Sequence, residues 1–148
     1  MSERVIVGGG DEDLEEALTR ELLAFNVEAS GVGDQQEFTV RVESENGELL
    51  GGLCGWTWGT AAGIALMCVY PGRRGAGIGS RLLRAAESVA VERGCRQMSV
   101  TSFTFQAPGF YERHGYELTG RTGGIPTPDH AHVQFRKLLR TPPSALRP

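Results

Sequence analysis

A chain of 148 residues is long enough for one domain with a real core and too short for two. With 40% hydrophobic and 22% charged residues it has a soluble globular composition, and no apolar run reaches the roughly 20 residues that span a bilayer. A net charge of −3 argues against nucleic acid as the main partner and mildly favours a cationic amine, and the absence of a signal-peptide pattern makes the cytoplasm the expected location.

Val5-Ile-Val-Gly-Gly-Gly10 reads as a first strand and a turn. It looks like the start of a nucleotide-binding unit, but the sixth position of that fingerprint is Asp13, not glycine. The helix that follows opens Asp11-Glu-Asp-Leu-Glu-Glu16, whose carboxylates satisfy the helix N-terminus themselves and repel a pyrophosphate. Leu14, Leu18, Leu22 and Phe25 recur at helical spacing, so this helix has one apolar face and runs to about Ala24 or a few residues beyond. Beyond Ser30-Gly-Val-Gly33-Asp34, Phe38 to Val42 alternates as a strand and Asn46-Gly47 predicts a hairpin turn. The next strand covers Leu49 to about Trp58, and Gly59 to Gly63 is a second turn or an irregular strand start. Ile64 to Val69 is nearly all apolar, which predicts a central strand covered on both faces.

That apolar run stops at Pro71, and the chain then reads Arg74-x-x-Gly77-x-Gly79 and turns helical from Ile78. Small residues at a strand-to-helix junction leave backbone N–H groups bare in front of a helix dipole, a site for a phosphate or pyrophosphate. Arg73 and Arg74 add charge that a neutral turn would not need. Gly77 is followed by Ile78 rather than Lys-Ser/Thr, which excludes a P-loop, and Gly75, Gly77 and Gly79 give G-x-G-x-G rather than the dinucleotide fingerprint. An ordinary Gly-rich turn is the bland alternative. The helix from Ile78 to Arg93 places Ile78, Leu82, Ala86, Val89 and Ala90 inward, and Gly94 ends it. Gln97 to Thr101 is a strand, Pro108 to about His114 a short helix stopped by Gly115, and Tyr116 to Thr119 and Val133 to Leu138 are the last strands. Thr141 to Pro148 carries three prolines and reads as a frayed tail, leaving residues 1–140 as a single domain. Elements in this order indicate an α/β (α+β mixed) architecture, a sheet flanked by helices.

The segment Arg74-x-x-Gly77-x-Gly79, approached through Val69-Tyr-Pro71, resembles the acyl-coenzyme A signature Gln/Arg-x-x-Gly-x-Gly/Ala of the GNAT family of N-acetyltransferases. The resemblance runs at motif level from about Leu49 to Leu138. It implies the GNAT fold, a twisted, mostly antiparallel mixed sheet of about six to seven strands flanked by about four helices. It also implies acetyl-CoA as co-substrate, without a metal. On the family's pattern the backbone of Arg74, Gly75, Ala76, Gly77, Ile78, Gly79 and Ser80 holds the pyrophosphate. Met67, Cys68 and Val69 pair with the pantetheine arm as if it were another strand, and the Val69 N–H polarises the acetyl carbonyl.

A second block, Phe103-Thr-Phe-Gln-Ala-Pro-Gly-Phe-Tyr-Glu-Arg-His-Gly-Tyr116, resembles the family's A-x-x-x-Tyr-Glu-x-x-Gly-Phe/Tyr, with Ala107, Tyr111, Glu112, Gly115 and Tyr116 on its positions. In the family a short helix here packs beside the pantetheine arm, and the tyrosine matching Tyr111 acts as general acid. A leaving thiolate needs a proton or a hydrogen bond, and a phenol supplies either. The alternative for Tyr111 is a core tyrosine with a satisfied hydroxyl. Phe110 and Tyr116 read as packing. Thr104 stands where the family commonly has an asparagine that bonds the pantetheine arm, and a hydroxyl makes one of those bonds but not all. Pro126 to His130 resembles the Pro-x-x-Gly/Asp-His of a subgroup of small bacterial acetyltransferases.

Amine attack also requires a base or a water chain, and Thr60-Ala-Ala-Gly-Ile-Ala65 lacks the carboxylate that several members carry there. His130 and His132 precede the final strand at the expected cleft edge, which makes His130 the candidate base, against a surface histidine or a water relay. His114 reads as surface or helix C-cap. Trp56, two residues from Trp58, is a candidate acceptor wall or else core filling or a dimer contact, and Gln106 a candidate polar reader of the acceptor. Cys54, Cys68 and Cys95 are widely spaced in apolar sequence, which predicts buried free thiols rather than a disulfide, a zinc site or a nucleophile. The expected activity is acetyl transfer from acetyl-CoA by direct attack of a primary amine, the acceptor a small molecule, with no nucleic-acid or membrane partner and a homodimer possible. Acetylation of a protein or peptide, and a non-catalytic CoA-binding regulatory domain, stay open.

Overall fold

The computed structural model describes residues 2–140, so the tail expected from residue 141 onward lies outside them. The described chain divides between Gly33 and Asp34 into two compact units. The first contains one element, α1 (Glu12–Ser30). Asp11 caps it, its side chain accepting the Leu14 N–H at 3.0 Å, and Glu12, Asp13 and Glu15 fill the first turn. No breaker intervenes before Gly31, whose left-handed φ of 75° ends the helix, so α1 runs longer than its apolar spacing predicts. No residue of α1 is buried. The strand expected over residues 5–7 is not formed. Its own unit holds no second extended segment to pair with, and a strand exists only through its ladder.

The second unit is built on a six-stranded sheet in the order β1-β2-β3-β4-β6-β5. Its elements are β1 (Gln36–Glu43), β2 (Leu49–Trp58), β3 (Ala61–Val69), α2 (Ile78–Glu92), β4 (Gln97–Phe103), α3 (Pro108–Arg113), β5 (Glu117–Gly123) and β6 (Ala131–Leu138). The described residues thus hold three helices rather than about four. Every strand pair is antiparallel except β3 with β4. The β1–β2 hairpin turns at Asn46-Gly47 as its sequence predicts, with Gly47 at φ 81°. One face of the sheet carries the core. Ile78, Leu82, Leu83, Ala86 and Ala90 of α2 pack with Phe38, Leu53, Ile64, Met98, Val100, Val133 and Phe135 of the strands. Val89, expected inward, is only half-buried, and Leu83 takes the fuller place.

Two irregularities shape everything that follows. The β2–β3 register slips beside Cys54 and Gly55: Gly55 faces Ile64 and Cys54 faces Leu66, which leaves Ala65 unopposed. A slip of one residue exchanges faces, so Ala62 and Ile64 point into the core before it and Met67 and Val69 after it. Leu66 and Cys68 are exposed on the other face, so β3 is not covered on both sides as its apolar run suggests. Cys54 is exposed with them and only Cys95 is buried, which corrects the expectation of three buried thiols. Secondly, β3 and β4 pair only from Ala61–Gln97 to Gly63–Ser99, after which the two strands part. Among the described residues no helix is long and apolar enough to cross a membrane.

Candidate active site

Where β3 and β4 part, they open a cleft of about 810 Å³. Residues 64–69 form one wall and 100–103 the other, with the Gly-rich loop at one end and α3 closing over it. Tyr70 donates its N–H to the Leu50 carbonyl, so by antiparallel alternation Cys68 and Leu66 turn their amides toward β2. The N–H groups of Met67 and Val69 therefore face the cleft. An edge of this kind accepts an extended amide chain as one more strand. The Val69 carbonyl receives the Arg74 Nε at 3.3 Å.

The loop reaches α2 through glycines at positive φ, with Gly72 and Gly75 at 85° and Gly77 at 78°. Gly77 is the N-cap of α2 and offers no side-chain acceptor, and no acidic residue occupies the first turn. Helix geometry leaves the N–H groups of Ile78, Gly79 and Ser80 without intrahelical partners. They stand at the positive end of the dipole with Arg73 and Arg74 beside them, all lining the cleft. α1 is the opposite case, since Asp11 and the acids behind it already satisfy its N-terminus. At Gly79 a Cβ would lie 3.1 Å from the Phe110 ring, so α3 packs directly on the start of α2. A second link joins these helices. His114 Nδ1 is 2.8 Å from the Phe110 carbonyl, which can only accept, so in the neutral ring Nε2 accepts a hydrogen bond from the Ser80 hydroxyl, 2.9 Å away. His114 is the C-cap of α3, one of the two places expected for it, but its bond to the start of α2 is invisible in the sequence.

Tyr111 projects from α3 into the floor of the cleft, packed on Phe110, Tyr116 and Phe135. Its hydroxyl points across to the Met67 thioether, 3.7 Å from Sδ. Sulfur is a weak acceptor, so the O–H remains available to a better one. Burial pushes the phenol above its ordinary value of 10.0, which keeps it protonated at neutral pH. Tyr116 lies in the core as expected; burial, and then Glu87, push its phenol up further still. It donates to Glu87 at 3.0 Å, and Lys137 meets the same carboxylate at 2.8 Å.

Met67, Cys68, Val69, Arg74, Gly75, Gly77, Ile78, Gly79, Ser80, Gln106, Ala107 and Tyr111 are brought together on the cleft lining. Ala76, Thr104, Trp56 and His130 are not on it. Thr104 ties the chain to β6, its hydroxyl oxygen accepting the Ala131 N–H at 3.1 Å. Gln106 uses Oε1 to hold the turn before α3, accepting the Phe103 N–H at 2.7 Å. The Trp56 ring lies over Gly63, where a Cβ would be 2.4 Å from it. His130 sits one ring back from the cleft, edge-on to Phe105 with centroids 5.1 Å apart. Sequence reasoning misses Leu66, Phe103, Phe105 and Arg113, which also line the cleft. The β3 bulge turns Leu66 there, and the parting of β3 from β4 opens the gap that Phe103 lines.

Residues 35–118 match the family model described as an acetyltransferase (GNAT) domain, more than half of the chain and all of the cleft wall. The chain belongs to the GNAT acetyltransferase family. Acyl transfer is therefore its class of chemistry, and the GNAT fold implied by the Gly-rich loop is the fold observed. It is 43% identical over 98 residues to the blasticidin-S acetyltransferase of Streptomyces morookaense, covering 64% of this chain and 70% of that protein. The crystal structure of an acetyltransferase from Bacillus cereus is 30% identical and superposes with a TM-score of 0.76, covering 91% of this chain and 98% of the other. A protein from Bacillus anthracis assigned as a streptothricin acetyltransferase and solved with acetyl coenzyme A shares the fold at 19% identity, with a TM-score of 0.62 over 70% of this chain and 63% of that one.

Proposed function

We propose that this GNAT acetyltransferase takes the acetyl group of acetyl-CoA and delivers it to the primary amine of a small molecule by direct attack. One observation carries the reading. The uncapped N-terminus of α2, the free amides of Met67 and Val69 and the Tyr111 hydroxyl all open into a single cleft. The backbone of Arg74 to Ser80 holds the pyrophosphate, and Met67 to Val69 align the pantetheine arm, with the Val69 N–H on the acetyl carbonyl oxygen. Holding thioester and amine together supplies most of the rate. The amine nitrogen bonds to the acetyl carbon, the C–S bond breaks, and the thiolate takes the Tyr111 proton. The ammonium proton leaves through water toward His130, and exchange with solvent returns a proton to Tyr111. A small acceptor is supported by the antibiotic named for the Streptomyces relative.

The test is release of CoA thiol from acetyl-CoA with a panel of small amines and, separately, of peptides with free N-termini or lysines. Transfer to small amines is expected, and Tyr111→Phe should lower kcat about a hundredfold or more with the KM for acetyl-CoA little changed. Transfer to peptides alone would overturn the small-molecule reading, and an unaltered kcat in the variant would remove the general acid.

A further inference from the structure

We infer that four rings at the cleft edge, Phe103, Phe105, His130 and His132, form the acceptor wall, and that the wall selects amines carried on a flat aromatic or heteroaromatic ring. This rests on the transferase reading above.

Along β4, Met98, Val100 and Ser102 are buried toward the core, so Phe103 points to the opposite face at the open end of the cleft. His132 is its direct partner across the β4–β6 ladder, with ring centroids 5.0 Å apart. Phe105 stacks on Phe103 at 5.3 Å with the planes only 10° apart, and the His130 ring stands edge-on to Phe105. The β5–β6 connection holds His130 in place: its carbonyl accepts the N–H groups of Gly124 and Ile125 at 2.8 and 3.1 Å. Phe103 and Phe105 line the cleft, yet Phe105 remains 54% exposed.

A single exposed phenylalanine says little. Phe105 is different because its neighbours already hold its ring in an offset stack, so a flat ligand meets a preordered surface and orders no loose side chain on binding. The wall opposite is apolar too, with Leu66 69% exposed on β3. Charge points the same way. The charged side chains on the lining are Arg73, Arg74 and Arg113 and none is acidic, so a polyamine or an aminoglycoside finds no counter-ion there. The overall charge of −3, which by itself favours a cation, does not describe the cleft.

The experiment compares benzylamine with its saturated counterpart cyclohexylmethylamine, and both with spermidine and kanamycin, for the full chain and for Phe105→Leu. The leucine keeps the apolar character of an exposed site and removes only the ring. Unaltered acetyl-CoA binding by calorimetry shows that the variant is folded. Benzylamine should be preferred over cyclohexylmethylamine in kcat/KM, and Phe105→Leu should cut that ratio about tenfold through the KM for benzylamine. Equal use of the two rings, a ratio unchanged in the variant, or better turnover of spermidine or kanamycin overturns the ring wall and leaves acetyl transfer standing. Binding of acetyl-CoA with no turnover of any amine overturns the transferase reading, and the wall with it.

Discussion

Tyr111 on α3 and His114 at its C-cap take different parts in the proposed reaction. Tyr111 is raised by burial, and the general acid proposed for it must hold its proton to work. Its activity limb therefore lies on the alkaline side: kcat should fall above about 10, and Tyr111→Phe should abolish that fall together with most of the rate. A pH profile of kcat for both proteins reads this directly, and a variant profile with the same alkaline limb would assign it to another group. His114 is not on the cleft lining, and the role we propose for it is positioning. Its two bonds, to the Phe110 carbonyl and the Ser80 hydroxyl, hold the start of α2 against α3. Removing them in His114→Ala should weaken acetyl-CoA binding by about five- to tenfold, the effect of one ordinary hydrogen bond. Calorimetry on folded variant protein would show it, and an unchanged affinity would reduce the pair to packing.

At the level of elements, the site exists because β3 contains a bulge and then leaves β4. Close packing of glycines holds the bulge in place. At Gly55 a Cβ would stand 2.5 Å from the Phe38 ring and 2.7 Å from the Gly63 carbonyl oxygen, a backbone atom that cannot move aside cheaply. Gly55→Ala should thus destabilise the fold by about 1–3 kcal/mol in urea unfolding, and a neutral result would mean that the β2–β3 register adapts freely. The sequence shows the hairpin at Asn46-Gly47, the length of α2 and the stop at Gly94 because each is written in turn chemistry or in a 3.6-residue period. It hides the bulge. Ile64-Ala-Leu-Met-Cys-Val69 is apolar at every position, so a slip of one residue leaves no break in alternation to read. The Gly-rich loop is legible because the arginines and glycines that form it are adjacent. Phe105 is not, since what gives it meaning is a stack on Phe103 and an edge contact to His130, a residue from beyond β5.

Over the molecule as a whole, two phenols tie stability to pH. Tyr111 and Tyr116 are both raised above 10.0, chiefly by burial, and Tyr116 also faces the Glu87 carboxylate. In the unfolded chain both lose their protons near the ordinary tyrosine value, while the folded chain keeps them. The unfolded state then binds fewer protons, so stability is complete below about pH 10 and declines as pH rises through that value. The strap through which Tyr116 acts joins separate parts of the fold, with Glu87 on α2, Tyr116 at the start of β5 and Lys137 on β6. Tyr116→Phe deletes one of the two raised groups and leaves Glu87 paired with Lys137. At pH 8 the variant should be less stable by about 1 kcal/mol for the lost hydrogen bond. From pH 9 to 11 its urea midpoint should fall less steeply than that of the parent chain. Equal slopes for the two proteins would mean that Tyr116 ionises alike in the folded and unfolded states, and the alkaline loss would then have to come from Tyr111 alone.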